Sequence, residues 1–257
     1  AVEILRAARG ATRFDGIEAA AKLTDWTALV AQKQALVNDL RAAKYIDVLP
    51  NYDRVTYLEG RAKFTKDGAL QVGDRAIRAR RIVIATGSSP HVPDIAGLDK
   101  VDWLDSASAL EQERLPSSLL VMGGGYIGVE LAQVFSRSGV DVTILTRRGL
   151  LPEAEPEVSE ALTKAFVDEG VTVWDGLSYD RVENAGEGVV LHATHAGLAA
   201  AFEAERLMLA TGRAPNTGSL ALDIAGIDTD ERGGIVTDPR MRTTRDGVYA
   251  AGDVTGT

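Results

Sequence analysis

One stretch limits what this chain can fold into more than any other: SLLVMGGGYIGVELAQVF, from Ser118 to Phe135, followed by DVTILTRR up to Arg148. The apolar run Leu119 to Met122 meets Gly123, Gly125 and Gly128 in GxGxxG spacing. Ile127, Leu131, Val134 and Phe135 then recur at i, i+4, i+7 and i+8, one face of a helix. Val142 to Leu145 reads as a second strand. Strand, glycine turn, helix and strand within about 30 residues is the context that a dinucleotide-binding fingerprint requires. The same glycines without those neighbours would mean only a tight strand-to-helix turn.

Within that unit each glycine has a physical task. Gly123 lets the chain reverse out of the strand, Gly125 lets the backbone approach a diphosphate with no Cβ in the way, and Gly128 lets helix and sheet pack closely. The first helical turn, with Ile127 in it, offers unpaired N–H groups and the positive end of the helix dipole to phosphate oxygens. Gly123, Gly125, Ile127 and Gly128 are therefore the candidate cradle for a nicotinamide dinucleotide. The residues that close the second strand should select the coenzyme. A carboxylate there suits the ribose 2′-hydroxyl of NAD, and a cation suits the 2′-phosphate of NADP. The chain has Thr146, Arg147 and Arg148 at that place, while Asp141 opens the strand instead of closing it. Two guanidiniums in solvent are common at strand ends, but their forked donors match a phosphate dianion. NADPH is expected in preference to NADH.

The 257 residues, 45% of them apolar, suffice for one large domain or two ordinary ones. A net charge of −9 argues against a nucleic-acid surface. No apolar run is long enough for a membrane span, and no signal-peptide pattern is read at the start, so the expectation is a cytoplasmic protein. Cysteine is absent, which excludes disulfides, thiolate metal sites and a thiol redox centre within these residues. His91, His192 and His195 are scattered. The last two, at i and i+3 in a strand, point to opposite faces, so no metal site is expected.

Taken in order, the chain begins with the end of a helix stopping at Gly10. A long helical pattern follows from Asp25 to about Leu49, with Thr24 or Asp25 as its cap, and its apolar spacing predicts a packed helix. Short strands are predicted over 55–64, 69–72, 75–77 and 81–85, and a domain boundary near Leu115. A helix starts near Pro156, with Val158, Leu162, Ala165 and Phe166 as its buried stripe and Gly170 as its stop. A strand over 171–174, a meander over 179–203 and a strand over 206–210 come next. Both ends read as cut, so the chain is expected to be a piece of a longer protein. Two strands end in ATG (Ala85, Thr86, Gly87 and Ala210, Thr211, Gly212) and a third in AGD (Ala251, Gly252, Asp253). Small residues at the carboxyl ends of strands let a cofactor lie against the backbone. A single such end is ordinary turn chemistry; three in this order are more.

The succession IVIATGSSP, VMGGGYIGVELA, LMLATGRAPN and GVYAAGDV resembles the flavoprotein disulfide reductases of the pyridine nucleotide-disulfide oxidoreductase family, which includes glutathione reductase, dihydrolipoamide dehydrogenase and mercuric reductase. The resemblance covers nearly the whole chain. The LVAQKQALVNDLRAAKY, GRAKF, SLALDIAGI and MRTT segments are most similar to mercuric reductases. It implies an α/β fold of two Rossmann-like dinucleotide-binding domains. Residues 1–114 would be part of an FAD domain, 115–215 an inserted NAD(P)H domain, and 216–257 the return to the FAD domain. It further implies that Asp253 bonds the flavin's ribityl chain, that Thr86 and Gly87 lie near the FAD, that Ala62 touches the adenosine, and that Gly212 lines the coenzyme crevice. Tyr126 would cover the nicotinamide pocket, and Glu130 would pair with a lysine near the flavin. By its position alone, Glu130 is a carboxylate favoured by the helix dipole, worth about 0.3–1 kcal/mol.

The family's N-terminal FAD fingerprint, its CxxxxC redox pair and its C-terminal dimerisation domain are not found in these residues. The implied function is that of a fragment of an FAD-dependent enzyme, a homodimer in full, passing hydride from NADPH to FAD and on to a cysteine pair that reduces Hg(II). A dihydrolipoamide dehydrogenase using NADH, a glutathione reductase-like enzyme and a noncatalytic dinucleotide-binding module are the alternatives.

Overall fold

A computed structural model describes residues 1–256, without the side chain of Thr12; Thr257, the last residue of the expected return segment, lies outside the described residues. In chain order the elements are α1 (Val2–Arg9), α2 (Trp26–Arg41), β1 (Ala62–Phe64), β2 (Leu70–Val72), β3 (Arg75–Ile77), β4 (Ile82–Ile84), β5 (Ser88–Pro90) and α3 (Ser106–Ala109). Then come β6 (Ser118–Met122), α4 (Tyr126–Arg137), β7 (Asp141–Leu145), α5 (Pro156–Asp168), β8 (Thr172–Trp174), β9 (Leu177–Ala185), β10 (Gly188–His195), β11 (Leu198–Ala204) and β12 (Arg206–Leu209). The last are β13 (Arg213–Pro215), α6 (Leu222–Ala225) and β14 (Val248–Ala250).

The chain forms two compact units, one of Ala1–Asn38 with Pro90–Gly212, the other of Asp39–Ser89 with Arg213–Thr257. The first is built on a parallel sheet in the order β12-β6-β7-β8. Its strands are covered on both faces, as parallel sheets require. Leu119 and Val121 of β6 join Val142 and Ile144 of β7 under Val129, Ala132 and Phe135 of α4 and Phe166 of α5. Their alternates Leu120, Met122 and Leu145 pack with Leu207 and Leu209 against the antiparallel meander β9-β10-β11. Period-2 alternation along each strand thus supplies one apolar row to the helices and the other to the meander.

At the far ends of the helices Arg137, only 8% exposed, forks onto Glu169 at 2.8 and 2.9 Å, and Glu3 of α1 joins it at 2.5 Å. Those partners raise the Arg137 pKa through the Glu169 hydrogen bonds first, and the same bonds lower that of Glu169. Trp26 extends the same side, its ring 5.9 Å from that of Phe135 and its indole N–H donating to the Gln112 carbonyl at 2.8 Å.

The second unit contains the antiparallel sheet β1-β2-β3 and the parallel pair β4-β14. Its core joins Phe64, Ile84, Ile235, Val248, Ala250 and Val254.

Several expectations change. The helix read from Asp25 to Leu49 ends as an α-helix at Arg41, passes through a π turn at Ala42–Ile46, and buries none of its residues; Leu36, Leu40, Tyr45 and Ile46 are exposed. Apolar spacing reports which side chains would share a face; Trp26, Leu29 and Val30 at the amino end are partly buried, while the apolar positions Leu36, Val37 and Leu40 are left open. Asp25 does cap it, accepting from the Ala28 amide at 2.9 Å. The strand predicted over 55–64 shrinks to β1, because Ala62, Lys63 and Phe64 pair with β2 while 55–61 pair with no strand among the described residues. On α5 only Phe166 is buried, with Leu162 half-buried; Val158 and Ala165 are exposed, so the stripe is narrower than the spacing implied. No helix among the described residues is long and apolar enough to cross a membrane.

Candidate functional site

Strand order places the site. The sheet's third and second strands in sequence, β8 and β7, lie to one side of β6, and β12 lies to the other, so the order reverses between β6 and β12. Ligands of open α/β sheets bind outside the carboxyl ends of the strands at such a reversal. A cavity of about 510 Å³ opens there, lined by Gly123, Gly124 and Gly125 after β6, Thr146, Arg147 and Arg148 after β7, Thr211 and Gly212 after β12, and Tyr126, Ile127, Glu153 and Tyr179.

The glycines divide by what surrounds them. A Cβ on Gly123, whose φ is +118°, would lie 2.3 Å from the Ala210 carbonyl oxygen, and one on Gly128 would lie 2.2 Å from that of Gly123. These two let the turn and α4 press onto β6 and β12. Gly124 is held as closely, its Cβ position 2.4 Å from the Gly149 carbonyl oxygen. Gly125 differs: it sits at φ −76°, ψ 179°, open to any residue, and a Cβ there meets nothing within 4 Å. The space that Gly125 keeps clear belongs to the cavity, not to the protein's packing. Gly125 is also the N-cap of α4 and offers no side-chain cap, so the amides of the first turn face the cavity without one. A backbone cradle with a helix dipole behind it fits a diphosphate.

The strand ends carry the remaining polar groups. The buried Thr146 hydroxyl donates to the Gly149 carbonyl at 2.9 Å, shaping the turn that follows β7. Arg148 pairs with Glu153 at 2.9 Å. Arg147 lies over the Tyr179 ring, 5.1 Å from its centroid. Burial pushes the Tyr179 phenol up to about 12, against a smaller opposing effect of Arg147. Its hydroxyl donates to the Leu145 carbonyl at 2.7 Å. Thr211 donates to the His91 carbonyl at 2.8 Å, and the His91 amide donates to the Gly212 carbonyl at 2.9 Å, so the ATG end of β12 is a closed turn.

The structure therefore gathers Gly123, Gly125, Tyr126, Ile127, Arg147, Arg148 and Gly212 around one cavity, with Gly128 packed behind the turn. Tyr126 is 69% exposed at the mouth. Glu130, one turn further along α4, is exposed and not part of the lining. The other candidates lie in the second unit. Thr86 exchanges hydrogen bonds with Asn216, 2.9 Å each way. Beyond Gly87, Ser88 donates to Asp253 at 2.7 Å and accepts from Arg213 Nε at 2.6 Å. Ala62 sits apart on β1, paired across to Val72. His192 bonds Glu183 at 2.8 Å while His195 meets the Trp174 ring edge-on, so the two histidines serve separate neighbours. Among the described residues no cluster of three or more His, Asp or Glu could hold a metal ion.

Sequence reasoning missed Gly124, Glu153 and Tyr179 at the site. Gly124 had a signal, a third glycine in a row where GxGxxG leaves the position free. Tyr179 had none, being more than 30 residues from Arg147 on another strand.

Comparison with known proteins adds the lineage. The family profile Pyridine nucleotide-disulphide oxidoreductase matches residues 8–257. Mercuric reductase of Bacillus cereus is 42% identical over 243 residues, 94% of this chain and 38% of that protein. Mercuric reductase of Streptomyces lividans is 40% identical over 260 residues, 99% of this chain and 55% of that protein. The solved structure of the HOCl-induced flavoprotein disulfide reductase RclA from Escherichia coli superposes with a TM-score of 0.85 at 32% identity, over 99% of this chain and 55% of that one. The chain thus spans roughly two fifths to just over half the length of these relatives.

Proposed function

The chain belongs to the pyridine nucleotide-disulphide oxidoreductase family, most like its mercuric reductases, and from that premise we propose that it is the nucleotide-handling part of an FAD-dependent enzyme that uses NADPH to reduce Hg(II). The observation that carries this reading is the cavity kept open at Gly125 where the strand order reverses, with cations at its β7 side. When bound, the nicotinamide coenzyme supplies a hydride and the flavin accepts it.

The residues here bind and orient. Gly123, Gly125 and the amides of Ile127 and Gly128 would hold the diphosphate, Arg147 and Arg148 the 2′-phosphate, and Gly212 the crevice wall. Tyr126 at the mouth would shield the nicotinamide from water, and Glu130 would pair with a lysine near the flavin. In the second unit Thr86, Gly87 and Asp253 would hold the flavin, and Ala62 the adenosine of FAD. On this reading 115–215 serves the nicotinamide coenzyme, and 1–114 with 216–257 serves FAD. That division by cofactor cuts across the compact units, because Trp26 and the segment at Gln112 pack with α4. No cysteine lies in these residues, so the pair that takes the electrons belongs to other parts of the full protein. The full protein would be a cytoplasmic homodimer, the form that membership of this family leads one to expect.

Glu153 favours a second reading. A carboxylate lining the same cavity suits a ribose 2′-hydroxyl, and with it NADH and a dihydrolipoamide dehydrogenase-like reaction. The test is steady-state turnover by the full-length protein with NADPH or NADH and with Hg(II), glutathione disulfide or lipoamide as acceptor. NADPH oxidation that depends on Hg(II) is expected. Turnover only with NADH and lipoamide would establish the second reading, and coenzyme binding without turnover on any acceptor would point to a binding module.

A further inference from the structure

Arg147 and Arg148 look equivalent in the sequence, yet the fold treats them differently. Arg148 shares its charge with Glu153, 2.9 Å away, and both side chains are largely in solvent. Arg147 is stacked instead, its guanidinium carbon 5.1 Å from the centroid of the Tyr179 ring. That ring is itself fixed. Its hydroxyl donates at 2.7 Å to the carbonyl of Leu145, which ends β7 two residues before Arg147, and its body packs against the apolar layer beneath the sheet. Burial pushes the phenol up to about 12, so its hydroxyl stays a donor even at alkaline pH.

The meander is bent to deliver this side chain. Arg181 pairs with His192 but the next residue of β10, Ala193, pairs with Tyr179, which leaves Asp180 as an extra residue in β9. Inward positions accordingly run Leu177, Tyr179 and then Val182, a step of three where a regular strand steps by two. A bulge of this kind re-aims side chains and recurs beside functional sites.

We propose that Tyr179 is a positioning residue for coenzyme choice: its ring holds the Arg147 guanidinium at the end of β7, preset for the 2′-phosphate of NADPH. The proposal rests on the reading of the cavity as the nicotinamide coenzyme site. A long cation free to rotate would lose that freedom on binding, whereas a stacked planar one has already lost it. Arg148, shared with Glu153, contributes less.

The experiment is calorimetric titration of the full-length protein with NADP⁺ and NAD⁺. Tyr179→Met, which keeps a long apolar side chain but loses the ring, should weaken NADP⁺ binding five- to thirtyfold and change NAD⁺ binding less than twofold. Tyr179→Phe, which keeps the ring, should stay within threefold of wild type for both. Arg147→Ala should lose at least as much NADP⁺ affinity as Tyr179→Met, and adding Tyr179→Met to it should cost nothing further, since the tyrosine acts through the arginine. Should Tyr179→Met not fold, Arg147→Lys, which keeps the charge but not the stacking plane, is expected to lose NADP⁺ affinity alike. Equal losses for both coenzymes on Tyr179→Met, additive losses in the double variant, or full NADP⁺ preference in Arg147→Lys would each overturn the proposal while leaving the coenzyme site standing. An Arg147→Ala protein with wild-type preference would overturn the phosphate-selecting role and the proposal together, and absence of any dinucleotide binding would overturn the site itself.

Discussion

Gly125 and Gly123 are two residues apart and identical in composition, but their substitutions should separate binding from stability. Alanine at 125 has an ordinary backbone conformation and open space around its Cβ. Gly125→Ala is therefore expected to melt within a degree or two of wild type and to lose nucleotide affinity about tenfold, a clash equivalent to ~1.4 kcal/mol. Gly123→Ala must place a Cβ 2.3 Å from a backbone oxygen at φ +118°. Backbone strain of about 1–3 kcal/mol and a similar overpacking cost should lower its stability before binding is considered. Thermal melts with and without NADP⁺ read both effects; equal melting of the two variants would show that the turn adapts and that this division of roles is wrong. The tasks of Gly123 and Gly128 were legible from spacing, because a fingerprint encodes close backbone approach. That of Gly124 was not, since its constraint comes from Gly149, beyond β7.

Among the elements, β6 and β12 are fastened at their amino ends by one carboxylate. Glu205 Oε2 accepts from both the amide and the hydroxyl of Ser117, at 2.7 and 2.9 Å, and Oε1 lies 2.6 Å from Arg114 Nη2 without a well-aligned hydrogen bond. The two Ser117 bonds hold its pKa down at about 2. An unfolded glutamate titrates near ~4.3, so the folded state gains stability from the ionised form above that value, and the gain disappears as pH falls toward about 2. Urea midpoints measured between pH ~5 and ~2 should fall less steeply for Glu205→Gln than for wild type; identical slopes would mean that this carboxylate does not fasten the strands. Element identity itself was largely readable. The helices α4 and α5, the meander and the strands leading to ATG lie where periodicity and turn residues put them. Burial was less so: α2 has the spacing of a packed helix but meets the core only at its start, through Trp26, and buries no residue fully, and α5 buries one residue of its expected four.

For the whole molecule, the order of protection should follow the layers. Val121, Met122, Ile144, Leu145, Leu207 and Met208 are fully buried in a sheet covered on both faces. Amides of β6, β7 and β12 are therefore expected to exchange with solvent most slowly, and those of α2 and the short strands β1, β2 and β3 far sooner. Hydrogen exchange followed by mass spectrometry decides it, and early exchange in β6 would contradict the layered core. By itself the sequence determined what depends on neighbours along the chain: the glycine turn and helix start, the apolar rows, the family, and the pair of arginines at the strand end. Only tertiary structure decided that Arg147 stacks while Arg148 is shared with an acid, that Gly124 is as constrained as Gly123, and that the candidates divide between two compact units. The physical reason is range. Dihedral preference and periodicity act over a few residues, whereas a ring from β9 meeting a cation after β7 is set by a sheet order and a bulge that leave no mark on either segment alone.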